Sequence, residues 1–257
     1  MYRKEAPDPT LKKLQASNWD NYIVGTFLKD SNTLEESQQN TLERIERLFP
    51  KIKKSNKILV LSDGNSFVPI YLSSKYQCKI TILCETKEAL DIMERDVEKY
   101  EQQDYISCLQ RDFDQTQLDY DYYDMVYSMN SISSHKEVDR VLAEVRRTLV
   151  PQGRFILLEK SYNGDVSSDF DFYETDDFLR KALRADFEKV YFKEFSKETQ
   201  DHYVAVRKKL DKEKKSVIKV DGEKGYKSAI EAVDKLIELS AENKMSWKFI
   251  QLQKRNA

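Results

Sequence analysis

Glycine is scarce in this chain, with six residues in 257. Enzymes built on α/β sheets usually place glycine where a loop passes close to a ligand, since only glycine leaves bare backbone there. Few loops here have that freedom. The three cysteines, Cys78, Cys84 and Cys108, show no CxxC spacing, so neither a zinc site nor a disulfide framework is expected. Each falls in or beside an expected buried strand, as a small hydrophobe in a reducing compartment would. No apolar run approaches bilayer length, so no membrane-spanning segment is expected. Net charge is nearly absent: 43 basic residues face 45 acidic ones, a formal charge of −2. No global field therefore gathers nucleic acid or an anionic membrane. The basic run 207–215 is broken by acids and reads as a solvated linker. Residues 1–14 lack the apolar stretch of a signal peptide and the Arg- and Ser-rich character of a long transit peptide.

What is present is an alternation of strand and helix patterns. Two fifths of the chain is hydrophobic, enough for a core. Lys57–Leu61 (KILVL) is a short continuous apolar run, the form of a strand buried on both faces. Strands are likewise expected at Lys79–Cys84, 105–109, 123–127 and 154–159, and helices over 68–76, 87–100 and 138–149. Pro151 and Gly153 stop the last of these helices. Thr175 reads as the N-cap of a helix ending near Ala185. Phe187–Phe195 and 202–207 read as two antiparallel strands closing the sheet. Outside this core, helices are expected over 34–49, with Ile45 and Leu48 among its packing residues, and over 226–242. The apolar cluster Met245, Trp247, Phe249, Ile250 and Leu252 ends the chain. It reads either as docking onto the chain's own core or as a surface for a partner.

Strand–helix alternation closed by an antiparallel pair resembles the Rossmann-like fold of class I S-adenosylmethionine (SAM) dependent methyltransferases. That is a mostly parallel seven-stranded sheet with a terminal antiparallel hairpin and helices on both faces. The resemblance divides the chain into a helical extension over 1–56, a methyltransferase-like domain over 57–207, and a charged linker with helix and apolar tail over 208–257. Ligands of such sheets sit at the carboxyl ends of the strands. After the first strand the chain reads Ser62-Asp63-Gly64-Asn65-Ser66-Phe67-Val68-Pro69. In the resembled family an acid and three alternate glycines occupy this turn. Here Ser62 stands for the acid, Gly64 survives, and Ser66 and Val68 replace the other glycines. Phe67, Val68 and Pro69 are expected to crowd the place of the donor's methionine. The other implied cofactor positions are Glu85, on the ribose hydroxyls, Asp112 and Phe113, at the adenine, and Ser128, where donor and acceptor would meet. His135 reads as a surface residue opening a helix, with a catalytic base as the alternative. No catalytic residue and no metal ligand is assigned.

One stretch carries a narrower resemblance. Ile132 to Leu149 (ISSHKEVDRVLAEVRRTL), followed by VPQGRFILLE, is similar to the ubiquinone and menaquinone biosynthesis C-methyltransferase family. Ser133 and Ser134 stand where that family has Arg-Asn, and Gln152 replaces a glycine. The resemblance implies a degenerate paralogue, a pseudoenzyme serving as a structural or accessory subunit. Its partner would be an active methyltransferase paralogue, as a heterodimer, or a larger mitochondrial assembly such as a respiratory complex. Localisation at the mitochondrial matrix follows from the resemblance alone, and otherwise the chain is expected to be cytoplasmic. Two alternatives stay open: an active SAM-dependent methyltransferase acting on a small molecule such as a quinone precursor, and a module binding a different nucleotide.

Overall fold

A computed structural model describes residues 24–28, 33–47, 49–132, 135–164 and 172–256. The elements run α1 (Leu34–Glu46), β1 (Lys57–Leu61), α2 (Phe67–Tyr76), β2 (Lys79–Cys84), α3 (Lys87–Lys99), β3 (Ile106–Gln110), β4 (Tyr123–Met129) and α4 (Val138–Thr148). They continue with β5 (Leu149–Tyr162), α5 (Thr175–Arg184), β6 (Phe187–Phe195), α6 (Ser196–Lys212), α7 (Lys214–Ala241) and β7 (Met245–Lys254). One seven-stranded sheet has the order β3-β2-β1-β4-β5-β7-β6. The first five strands pair in parallel, and β7 runs antiparallel to both β5 and β6. Strand order reverses between β1 and β4, which places the ligand crevice at their carboxyl ends.

The apolar runs that mark the strands are buried on both faces, as parallel strands require. Ile58, Val60, Ile80, Ile82 and Leu158 face one core, shared with α1, α2, α3, α6 and α7. Leu59, Leu61, Leu83, Val126 and Leu157 face the other, shared with α4 and α5. The sheet thus separates two helical layers, as expected for the class I methyltransferase fold.

Three expectations change. Residues 202–207 are helix, not strand. Thr199, His202, Tyr203, Val206 and Leu210 are buried along α6 at helical spacing, and this face lies against the rest of the core. The seventh strand is the apolar tail instead. Met245, Trp247 and Phe249 point to one core and Ile250 and Leu252 to the other, the period of two that a strand imposes. That cluster is therefore sheet interior, not a partner surface. A domain boundary at 207/208 would fall inside α6, and the expected charged linker is helical. Within α7 the helix breaks at Gly222, whose φ of 72° and ψ of 170° suit glycine alone.

Residues of α1 also join this core. Leu34 and Leu42 are buried in it. Arg44 pairs with Glu198 of α6 at 2.8 Å, and Glu46 accepts from the Tyr71 and Tyr76 hydroxyls of α2. The expected helix over 34–49 ends at Glu46; Leu48 and the side chain of Ile45 lie outside the described residues, as do residues 1–14. The helix start assigned to Thr175 moves by one residue. Glu174 is the cap, accepting from the amides of Asp176 and Asp177, while Thr175 donates its hydroxyl to the Tyr162 carbonyl.

Candidate active site

The turn after β1 is closed by its own hydrogen bonds. Ser62, 1 % exposed, accepts the amide protons of Gly64 at 3.1 Å and Asn65 at 2.9 Å on its hydroxyl. Gly64 has a φ of 106°, which permits the turn. Asn65 Oδ1 accepts the Phe67 amide at 3.0 Å, capping α2 from within the loop. Ser66 donates to the buried Asp96 of α3 at 2.7 Å. A helix N-terminus after the first strand of such a sheet offers free amides to an anionic group. Here the amides of Gly64, Asn65 and Phe67 are already engaged. The side chains of Phe67 and Val68 are absorbed into the core on the α2 side. The loop itself is closed by Ser62 and Asn65.

At the end of β2, Glu85 is part-exposed and well positioned. Its Oε1 accepts from the Phe113 amide at 3.0 Å and from His135 Nε2 at 3.1 Å. Burial pushes this carboxyl up, but the bonds from His135 and Phe113 outweigh it and hold the group below its ordinary value. Oε2 receives no hydrogen bond among the described residues. Asp112, just past β3, is exposed. The Phe113 side chain is 1 % exposed and packs in the α4–α5 core, so its amide, not its ring, serves this corner.

His135 is not the surface residue the sequence suggested. Its side chain retains 14 % exposure, and the ring lies 6.2 Å from that of Phe113. Nδ1 accepts the Glu137 amide at 3.1 Å, so in the neutral ring the proton sits on Nε2, facing Glu85. The Glu85 bond raises the His135 pKa, with burial opposing.

At the end of β4, Ser128 is turned inward. Its hydroxyl donates to Glu159 Oε1 at 2.6 Å, and the Ser131 amide reaches the same oxygen at 3.3 Å. Ser128 and Glu159 are both fully buried, so Ser128 holds a core carboxylate and does not face the crevice. Ser133 and Ser134 lie outside the described residues.

Buried polar groups that sequence reasoning did not single out surround this end of the sheet. Lys160 is fully buried, with its amine 4.8 Å from the Phe172 ring centre and 5.7 Å from that of Trp247. Burial holds its pKa well below the usual lysine value. His202 of α6 accepts the Gly25 amide on Nδ1 at 3.1 Å, and burial, with Lys160 nearby, pushes its pKa down to about 3. The helical spacing of the α6 stripe could have revealed His202. Nothing in the local sequence distinguishes Lys160 from the solvated lysines elsewhere. Among the described residues no group of His, Cys, Asp and Glu could hold a metal ion, and no helix is long and apolar enough to cross a membrane.

Comparison with known proteins agrees with this fold. Residues 61–157 match the methyltransferase domain family. A sarcosine/dimethylglycine N-methyltransferase from Halorhodospira halochloris is 25 % identical over 201 residues, 74 % of this chain and 72 % of that protein. A Galdieria sulphuraria structure, described provisionally as a sarcosine dimethylglycine methyltransferase, superposes with a TM-score of 0.86 at 15 % identity, covering 97 % of this chain and 99 % of that one. Haemonchus contortus phosphoethanolamine N-methyltransferase 2, bound to phosphomonomethylethanolamine and S-adenosylhomocysteine, gives 0.79 at 14 % identity, covering 97 % of this chain and 60 % of that one. The chain has the Rossmann-like class I methyltransferase fold. These relatives do not support the narrower quinone-family resemblance.

Proposed function

We propose that this chain is a SAM-dependent methyltransferase acting on a small polar molecule, with a donor site weakened at its methionine end. The observation that carries this reading is Glu85. It is an ionised carboxylate at the carboxyl end of β2, anchored through one oxygen and open at the other. A ribose diol is a natural donor to such a group, and the exposed Asp112 lies just past β3. When bound, SAM supplies an electrophilic methyl group on its sulfonium. The chain would hold the nucleoside with Glu85 and Asp112. The amides of Gly64, Asn65 and Phe67 would have to exchange their present partners for the methionine carboxylate.

The named activities of the relatives suggest the acceptor class, small amines such as sarcosine and dimethylglycine. Methyl transfer from isotopically labelled SAM to a panel of such amines tests the reading, alongside calorimetry with S-adenosylhomocysteine. Weak binding with detectable transfer supports it. No binding at millimolar ligand removes it.

A second reading is favoured by the closed loop itself: a pseudoenzyme retained as a subunit, for which a mitochondrial assembly or an active paralogue is the partner to seek. In that reading the loss of the donor site goes beyond the bonds of Ser62 and Asn65. Ser62→Gly then leaves the chain folded and still unable to bind S-adenosylhomocysteine, whereas a weakened enzyme gains affinity.

A further inference from the structure

We propose that His135 limits the affinity of this chain for its nucleoside by competing with the ribose for Glu85 Oε1. The inference rests on the reading of Glu85 as the ribose-binding acid. A carboxylate oxygen offers about two acceptor positions. Oε1 already fills both, with the Phe113 amide at 3.0 Å and His135 Nε2 at 3.1 Å. A vicinal diol that bridges both oxygens of a carboxylate needs one position on each. Oε2 can supply its share; Oε1 can do so only by releasing a donor.

The two donors differ in how easily they leave. The Phe113 amide is backbone next to a ring packed in the core at 1 % exposure. Moving it means moving that core. His135 lies in the connection between β4 and α4, outside both elements, and it can withdraw by rotating its side chain. Its ring is set to donate and not to accept, because the Glu137 amide occupies Nδ1 at 3.1 Å. His135 therefore presents to Glu85 the same kind of group a ribose hydroxyl would.

Charge makes the competition depend on pH. The acids that face the ring are Glu85 from the end of β2, Asp114 from the connection after β3, and Glu137 from its own segment. Arg140 offsets the last two, at 3.9 Å from Asp114 and 3.6 Å from Glu137. All three acids raise the His135 pKa, the Glu85 bond most of all, with burial opposing. As pH falls through that value the ring becomes an imidazolium, and its bond to the carboxylate becomes charge-assisted on both sides. The Glu137 amide loses its acceptor in the same step, which moderates the gain. The contact tightens as pH falls through the raised His135 pKa and loosens above it.

Calorimetry of S-adenosylhomocysteine and of adenosine tests this on the full-length protein, as wild type, His135→Ala, Glu85→Gln and the double variant, from pH 5.5 to 8.5. His135→Ala is expected to bind S-adenosylhomocysteine about tenfold more tightly at pH 6, the scale of one hydrogen bond to a charged group. That gain should shrink toward pH 8.5, and Glu85→Gln should abolish it. A damaged fold cannot produce a gain of affinity. Wild-type binding that His135→Ala leaves unchanged or weakens overturns the competition while sparing the ribose reading of Glu85. Absence of binding by every variant overturns both.

Discussion

His202 should make this protein sensitive to acid in a way one substitution can isolate. The imidazole is fully buried on α6, and its Nδ1 accepts the Gly25 amide, so the native state holds the neutral ring. Burial, with the Lys160 amine nearby, lowers its pKa from 6.5 to about 3. The unfolded chain takes up this proton near pH 6.5 and the native state only near pH 3. Stability from this group is thus complete above pH 6.5 and is lost as pH falls through the window down to 3. Each unit of separation is worth about 1.4 kcal/mol. The loss is about 2 kcal/mol at pH 5 and approaches about 5 kcal/mol at pH 3. His202→Asn keeps an acceptor for the Gly25 amide and removes the titration. Urea denaturation of both proteins between pH 7.5 and 4.5 should give stabilities that converge on the wild type or favour it at pH 7.5. They should cross in favour of the variant by pH 5. Two parallel curves would show that His202 protonates in the native state as easily as in the unfolded chain, and the burial argument would be refuted.

Ser128→Ala removes the hydroxyl donor from the buried Glu159 carboxylate, and denaturant unfolding should show a loss of about 1–3 kcal/mol. Gly222→Ala meets no atom within 4 Å, so any cost is conformational. Its φ and ψ predict a destabilisation of about 1–3 kcal/mol, and an unchanged melting temperature would mean that the break in α7 relocates. Trp247→Ala empties a fully buried position in β7 between β5 and β6, and about 3–5 kcal/mol should be lost in the same assay.

Much of the sheet was legible because its strands are buried on both faces. KILVL and KITILC leave no amphipathic alternative, and their bounds coincide with β1 and β2. The last third was harder for physical reasons. The segment His202-Tyr203-Val204-Ala205-Val206 is rich in β-branched and aromatic residues, which favour a strand locally. Its helical state comes from burying Thr199, His202, Tyr203, Val206 and Leu210 on one face, contacts between residues far apart in sequence. Local pattern places the closing strand directly after β6, whereas two helices separate β6 from β7 in the chain. The alternation of Met245, Trp247 and Phe249 was visible, but a strand at a chain end has no local signal saying which neighbours it will join.

The donor loop shows why a motif departure cannot be converted into chemistry by size alone. The sequence argues that Phe67 and Val68 block the crevice because glycine is replaced by bulk. Both are 1 % exposed and belong to the core beside α2, so whatever space they take is fixed by packing. A second closure lies in the smallest substitution of the motif. Ser62 stands where an acid would be, and its hydroxyl binds the amides of Gly64 and Asn65. A serine can turn onto its own loop and leave no formal charge facing the crevice. Exchange of those two bonds for a ligand carboxylate is a modest local rearrangement, whereas displacement of buried aromatic bulk would require the core to move. The same reasoning separates Glu85 from Ser128, although both were read from strand ends. Ser128 is tied to a fully buried partner, while Glu85 keeps one oxygen without a hydrogen bond among the described residues. On the proposed reading, competence in this crevice turns on the strength of a few hydrogen bonds, from Ser62, Asn65 and His135, which ligand binding can measure.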